Sequence, residues 1–182
     1  YAYWKAAYYK NSVEELKRFI KLYPQNENLD YAYYLLAMNY YDSIVDEKKD
    51  LRPLTEAKKY FNFIIKKYPN TDYALDCKYK LELIDDILAA KEIYIARHYI
   101  KKEKWIAAIN RLKFVTENYD TTIYIEEALH RLVEVHYKIG LENEAQKYAK
   151  VLGYNYQSSD WYKQSYKVFN KNYSSITKKK KE

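Results

Sequence analysis

Residues 57–81 read AKKYFNFIIKKYPNTDYALDCKYKL, and the spacing of small and apolar side chains in this stretch decides the fold. Tyr68 stands directly before Pro69, which cannot continue the preceding helix. Small and large apolar residues lie at set distances on both sides of this tyrosine: Ala57, Phe61, Ile64, Cys77 and Leu81. Because positions i, i+4 and i+7 share one helix face, the stretch predicts two helices packed together across a short turn.

The same spacing returns around three further tyrosines, Tyr23, Tyr119 and Tyr156. The small positions are then Ser12, Ala32, Ala108, Ala128, Ala145 and Ser165, and the apolar ones Leu16, Phe19, Leu36, Leu112, Val115, Leu132, Ala149, Leu152 and Phe169. A helix–turn–helix unit used four times predicts an all-α, tetratricopeptide-repeat-like solenoid of antiparallel helix pairs. Stacking such pairs gives a curved rod with a concave binding side.

Local signals indicate where the helices begin and end. We expect helices over residues 1–10, 13–22, 30–44, 55–67, 72–102, 105–118, 124–139, 142–152 and 160–169, with a surface loop over 45–54. Ser12 and Glu15 form a capping box, Pro53 enters the first turn of its helix, and Gly153 ends the eighth helix. Residues 72–102 contain no Gly or Pro and predict one long helix, with a break near 89–90 as the alternative.

The domain organisation follows from this arrangement of helices. We expect one repeat array over residues 1–172, its first repeat absent from the chain, and a disordered basic tail over 173–182. The chain opens at Tyr1 rather than Met, within a stretch that reads as helix, so we expect a fragment of a longer protein. No apolar run reaches the ~20 residues of a membrane-spanning helix.

The charge balance admits a second class of function. The 182 residues carry a net charge of +7 and include 25 tyrosines. A repeat protein that binds single-stranded nucleic acid can have this composition, because basic residues attract phosphates and tyrosine rings stack on bases. The lysines, however, lie beside glutamates and aspartates, which is typical of solvated helix faces. We therefore expect no nucleic-acid partner and keep nucleic-acid binding as the alternative hypothesis.

Catalytic and cofactor-binding patterns are not found in the sequence. His130 and His136 are six residues apart and face different sides of a helix, and His98 has no partner in a zinc-binding pattern. Two glycines cannot form a phosphate-binding loop, and the single cysteine, Cys77, occupies a packing position. We expect no enzyme activity, no metal site and no cofactor.

Three arginines in the middle and later repeats are candidates for binding a partner: Arg97, Arg111 and Arg131. Arg111 precedes Leu112 and so lies close to the apolar stripe of its helix. A guanidinium there can present a planar fork to a carboxylate or a peptide terminus. An ordinary exposed helix charge is the alternative.

Six segments together carry a family resemblance: residues 7–11 (AYYKN), 18–24 (RFIKLYP), 29–31 (LDY), 67–73 (KYPNTDY), 105–111 (WIAAINR) and 144–147 (EAQK). With the unequal repeat spacings, they resemble the BamD (ComL/YfiO) family of outer-membrane lipoproteins from about residue 3 to residue 156. The family's lipid-bearing cysteine and first repeat have no counterpart in this chain. The helix over 160–169 extends past the shorter family members.

The resemblance implies a non-catalytic scaffold of the β-barrel assembly machine, lipid-anchored at the periplasmic face of the outer membrane. It implies that C-terminal repeats bind a POTRA domain of BamA and N-terminal repeats receive unfolded outer-membrane barrel proteins. Other lipoproteins of the machine are further expected partners. Arg111 falls in the family's Trp-x-Ala-x-x-Asn-Arg segment, in the region that faces BamA. The expected partner-binding residues are Arg111, Arg97, Trp105 and Arg131.

Overall fold

A computed structural model describes residues 1–44 and 50–169. In these ranges the chain forms nine α-helices and no strand: α1 (Ala2–Lys5), α2 (Tyr9–Leu22), α3 (Leu29–Asp42), α4 (Arg52–Lys67), α5 (Asp72–Lys101), α6 (Trp105–Asn118), α7 (Ile125–Lys138), α8 (Glu142–Asn155) and α9 (Asp160–Phe169). The predicted all-α, tetratricopeptide-repeat-like fold is confirmed. The expected tail over 173–182, and residues 45–49 of the expected loop, lie outside the described residues.

The small residues of the repeat pattern lie in the buried interior between helices. All eight are buried: Ser12, Ala32, Ala57, Cys77, Ala108, Ala128, Ala145 and Ser165. A larger side chain at such a position would overfill the close-packed interior and push the helices apart. The pattern therefore fixes helix packing as well as helix identity.

The chain divides into two compact units, an N-terminal unit (Tyr1–Leu88) and a C-terminal unit (Ala89–Glu182). In the N-terminal unit, α2 packs against α3 and α3 against α4. Its core joins Phe61 and Ile64 of α4 to Cys77 and Ile84 in the first part of α5. Burial raises the pKa of the Cys77 thiol to about 12, so Cys77 is a protonated packing residue, as predicted.

In the C-terminal unit, α7 packs against α6, α8 and α9. Its core joins Ile93 and Ala96, in the last part of α5, to Leu112 of α6 and Leu132 of α7. The ring of Tyr162 in α9 lies directly over Gly153 of α8. A Cβ at Gly153 would stand 2.8 Å from Tyr162 Cε2, so the absence of a side chain there lets α9 approach α8.

Four expected helix ends are wrong. The expected helix over 1–10 ends at Lys5, because Ala7 adopts a left-handed φ of 60° that interrupts the helix before α2 begins. Packing accounts for the other three differences. Ser12 does not cap a helix: it lies inside α2, which begins at Tyr9, and its side chain is buried. Gly153 likewise lies inside α8, where it accommodates Tyr162. Helix α4 begins at Arg52 rather than at residue 55, with Pro53 in its first turn as predicted. Leu51 and Leu54 are buried, so the expected surface loop over 45–54 is wrong over residues 51–54.

The long helix is confirmed. Helix α5 runs without interruption for 30 residues, and the alternative break near residues 89 and 90 is not found. Ala89 is fully buried in the core of the C-terminal unit, so the helix contributes to the cores of both units.

Candidate functional site

Helix α6 buries one face in the core of the C-terminal unit and turns its other face outward. Ala108, Leu112 and Val115 are fully buried in the core of the C-terminal unit. The residues at positions 107, 110, 111 and 114 follow the i, i+3, i+4, i+7 spacing of a single face, and this face lies away from that core. Arg111 is consequently placed outward by the same periodicity that buries Leu112.

This outward face of α6 and Tyr99 of α5 enclose a groove of about 300 Å³, lined by Tyr99, Ala107, Asn110, Arg111 and Phe114. Its lining combines aromatic carbon with one amide and one guanidinium. Phe114 is 43% exposed, which leaves an apolar surface beside a positive charge. Such a combination is typical of protein-binding surfaces, where aromatic residues and arginine contribute most of the affinity.

Arg111 has one partner within the described residues. Its Nη1 donates to Glu92 Oε2 at 3.1 Å and, at 3.4 Å, to Oε1. The Arg111 side chain is 45% exposed, whereas that of Glu92 is only 16% exposed. The Nη1 atom of the guanidinium is therefore bound by the largely buried carboxylate of Glu92, and the rest of the group is open to solvent.

Arg97 and Arg131 are placed differently, because both bind the carboxylate of Glu127. Arg97 donates from Nε to Glu127 Oε1 at 2.7 Å and from Nη2 to Oε2, and Arg131 Nε donates to Oε1 at 3.3 Å. The side chain of Glu127 is only 5% exposed. These hydrogen bonds raise the pKa of the Arg97 guanidinium, and the cluster ties α5 to α7.

The charged cluster continues from α7 to α9. Arg131 Nη1 donates to Glu134 Oε2 at 2.8 Å, and His130 Nε2 lies 3.5 Å from Glu134 Oε1. His130 Nδ1 and Ser165 Oγ are 2.8 Å apart, while the Trp161 ring packs against both His130 and Arg131. Sequence reasoning missed this cluster, although the i, i+3 and i, i+4 spacings of its α7 members were a usable signal.

Trp105, the first residue of α6, is half-buried against the core of the C-terminal unit. The Nζ of Lys138 lies 4.7 Å from the centroid of its ring, a cation–π contact between α6 and α7. Of the four residues predicted to bind a partner, only Arg111 lines the groove. Arg97, Trp105 and Arg131 contact other residues of the C-terminal unit.

Comparison with known proteins shows the family of this chain. Residues 1–152 match the YfiO family, described as outer membrane lipoprotein. The chain belongs to this family. It is 46% identical over 173 residues to the outer membrane protein assembly factor BamD of Rickettsia prowazekii, covering 95% of this chain and 68% of the relative. This confirms the resemblance read from the sequence.

Two more distant relatives carry the same name. The BamD of Caulobacter vibrioides is 40% identical over 172 residues, which cover 94% of this chain and 56% of the relative. The BamD of Neisseria meningitidis serogroup A is 30% identical over 169 residues, which cover 87% and 63% respectively. The chain thus spans between 56% and 68% of the length of these relatives.

The match to the YfiO family includes α6, α7 and the groove residues, whereas α9 lies beyond residue 152. Among the described helices, none combines the length and apolarity that crossing a membrane requires. Within residues 1–44 and 50–169, no three His, Cys, Asp or Glu side chains converge as metal ligands would.

We expect the stability of this YfiO-family chain to depend on pH through Glu134, which lies in the charged cluster of α7 and α9. Burial raises the pKa of Glu134, but hydrogen bonds and charge from His130 and Arg131 outweigh it and hold the pKa at about 2, against 4.5 for an ordinary glutamate. A lowered pKa stabilises the fold above pH 4.5, and this contribution is lost as the pH falls towards 2. Because the side chain is 38% exposed, we expect the loss to be about 1 kcal/mol.

Urea unfolding between pH 5 and pH 2 measures this loss. The parent chain should lose about 1 kcal/mol more than Glu134→Gln over that range. Glu142→Gln removes an exposed carboxylate at the start of α8 and should retain the parent's pH dependence. Identical pH profiles for the parent and Glu134→Gln would contradict the role assigned to this carboxylate.

Proposed function

We propose that this chain is a non-catalytic scaffold in outer-membrane protein assembly, acting at the periplasmic face of the outer membrane, where a lipid anchors the full-length protein. Its membership of a family of outer membrane lipoproteins supports the location. Relatives named outer membrane protein assembly factor support the process. We propose one repeat array over residues 1–172, and the chain spans 68% and 56% of the lengths of these two relatives.

The proposed partners are those of the β-barrel assembly machine. The C-terminal unit binds a POTRA domain of BamA, the N-terminal repeats receive unfolded barrel proteins, and other lipoproteins of the machine join them. The observation that carries the BamA contact is the Arg111 groove, because it places a half-exposed guanidinium beside the exposed ring of Phe114. We assign the direct contact to Arg111 and a supporting role to Arg97, Trp105 and Arg131.

The contacts of the aromatic residues favour this proposal over nucleic-acid binding. Stacking bases needs exposed ring faces. In the N-terminal unit, Tyr33 instead packs 4.5 Å from Phe63, and Tyr40 stacks on Tyr60 at 5.9 Å between centroids, while the rings of Tyr8, Tyr23 and Tyr79 remain exposed. Lysine ammonium groups cover other faces, as Lys17 does over Tyr40.

Reversing the charge of Arg111 tests the BamA contact. We expect Arg111→Glu to raise the Kd for the purified POTRA domains of the same organism's BamA at least ~10-fold, since it turns an attraction into a repulsion at the groove. The matched control is Arg18→Glu, the same reversal on an exposed arginine of α2, which should bind as the parent chain does. Isothermal titration calorimetry measures both, and an unchanged Kd for Arg111→Glu would remove Arg111 from the interface.

A further inference from the structure

Glu92 contacts only part of the Arg111 guanidinium. Both Glu92 oxygens receive hydrogen bonds from one nitrogen, Nη1, at 3.1 and 3.4 Å. No described residue accepts a hydrogen bond from Nε or Nη2 of Arg111. A guanidinium has five N–H donors, and its Nε–Nη2 edge carries two that point in parallel. The edge left open is thus one that can bind a carboxylate with two hydrogen bonds.

Glu92 is more buried than the arginine that it contacts. It lies on α5 next to Ile93, within a helix face buried at Ala89, Ile93 and Ala96. Its side chain is 16% exposed, against 45% for Arg111. A long arginine side chain on a helix surface otherwise samples many rotamers, and this freedom is lost when a partner binds.

We propose that Glu92 is a positioning residue, which fixes Arg111 through Nη1 and thereby presents the Nε–Nη2 edge at the groove. The binding consequence of this inference rests on the proposed function, whereas the positioning itself is a property of the chain alone. Glu92 acts on the partner through Arg111 and makes no contact of its own with it.

Two physical effects of Glu92 on binding have opposite signs. Its negative charge lowers the attraction between Arg111 and an acidic partner, so removing that charge would tighten binding if charge alone mattered. Holding the guanidinium in place lowers the ordering cost of binding. Positioning predicts that Glu92→Gln weakens binding about 3- to 10-fold, the range expected from ordering one flexible side chain.

The first measurement uses the chain without a partner. The ¹⁵N order parameter of the Arg111 Nε–Hε group, assigned through the loss of its signal in Arg111→Lys, should be high in the parent chain and fall in Glu92→Gln. Glu103→Gln is the matched control, because Glu103 is an exposed carboxylate in the turn before α6 and its loss should leave Arg111 ordered. Because an amide oxygen can still accept from Nη1, Glu92→Ala is measured beside Glu92→Gln, and unchanged order in Glu92→Ala would overturn the positioning role, whatever the binding data.

The second measurement is a double-mutant cycle on the Kd for the POTRA domains. Glu92→Gln should weaken binding in the parent chain and have no effect in an Arg111→Ala background. Tighter binding, or equal weakening in both backgrounds, would overturn the inference. If the parent chain did not bind POTRA domains at all, the proposed function would fail, and the order parameter alone would decide the role of Glu92.

Discussion

Phe61→Ala is expected to lower the free energy of unfolding of the N-terminal unit by about 4 kcal/mol. The phenyl ring of Phe61 is fully buried, in the core that joins α3, α4 and the first part of α5. Truncation removes its burial from water and leaves a cavity that the rigid helix backbones can close only in part. A loss of this size is a large fraction of the stability of an ordinary domain.

The matched control for Phe61→Ala is Phe114→Ala, which deletes the same ring at a position that is 43% exposed. Urea unfolding followed by circular dichroism at 222 nm measures both variants, and Phe114→Ala should cost less than about 1 kcal/mol. Equal losses in the two variants would show that the core of the N-terminal unit is not packed as described.

Periodicity predicted the core because burial follows directly from spacing. A small residue eleven positions before a tyrosine and another nine after it predict core positions, and every such residue is buried. The helix ends were harder to predict, since one residue type can serve two purposes. Serine caps helices and also fits tight contacts, and at Ser12 the tight contact takes precedence. Glycine ends helices and also admits a neighbouring ring, as Gly153 admits Tyr162.

The candidate site was predictable only in part, for a similar reason. The outward placement of Arg111 follows from its position beside buried Leu112 on one helix. The contact between Arg97 and Glu127 joins residues 30 positions apart, and no local pattern identifies it. The partner of Arg131 lies at i−4 on the same helix and could have been read from the sequence. Side chains that look alike in the sequence therefore divide by their partners: Arg97 and Arg131 bind the buried carboxylate of Glu127, whereas Arg111 lines the groove, although the side chain of Arg97 is as exposed as that of Arg111.

Glu127→Gln is expected to destabilise the C-terminal unit by about 2–3 kcal/mol. The change keeps the shape of the side chain but removes the charge that two arginines share. It also replaces one accepting oxygen with an amide NH₂, which then faces an arginine N–H donor. The loss stays below that of a fully buried ion pair because Arg97 is half-exposed and can regain water.

The matched control for Glu127→Gln is Glu144→Gln, which breaks an exposed pair with Lys147 and should leave the unfolding curve close to that of the parent chain. Urea unfolding followed by circular dichroism at 222 nm measures both variants. Where Glu127→Gln remains folded, it should bind the POTRA domains with the parent's Kd, because Arg97 and Arg131 act within the fold. Parent-like stability combined with weakened binding would instead mean that these two arginines contact the partner themselves, and that Arg111 does not act alone.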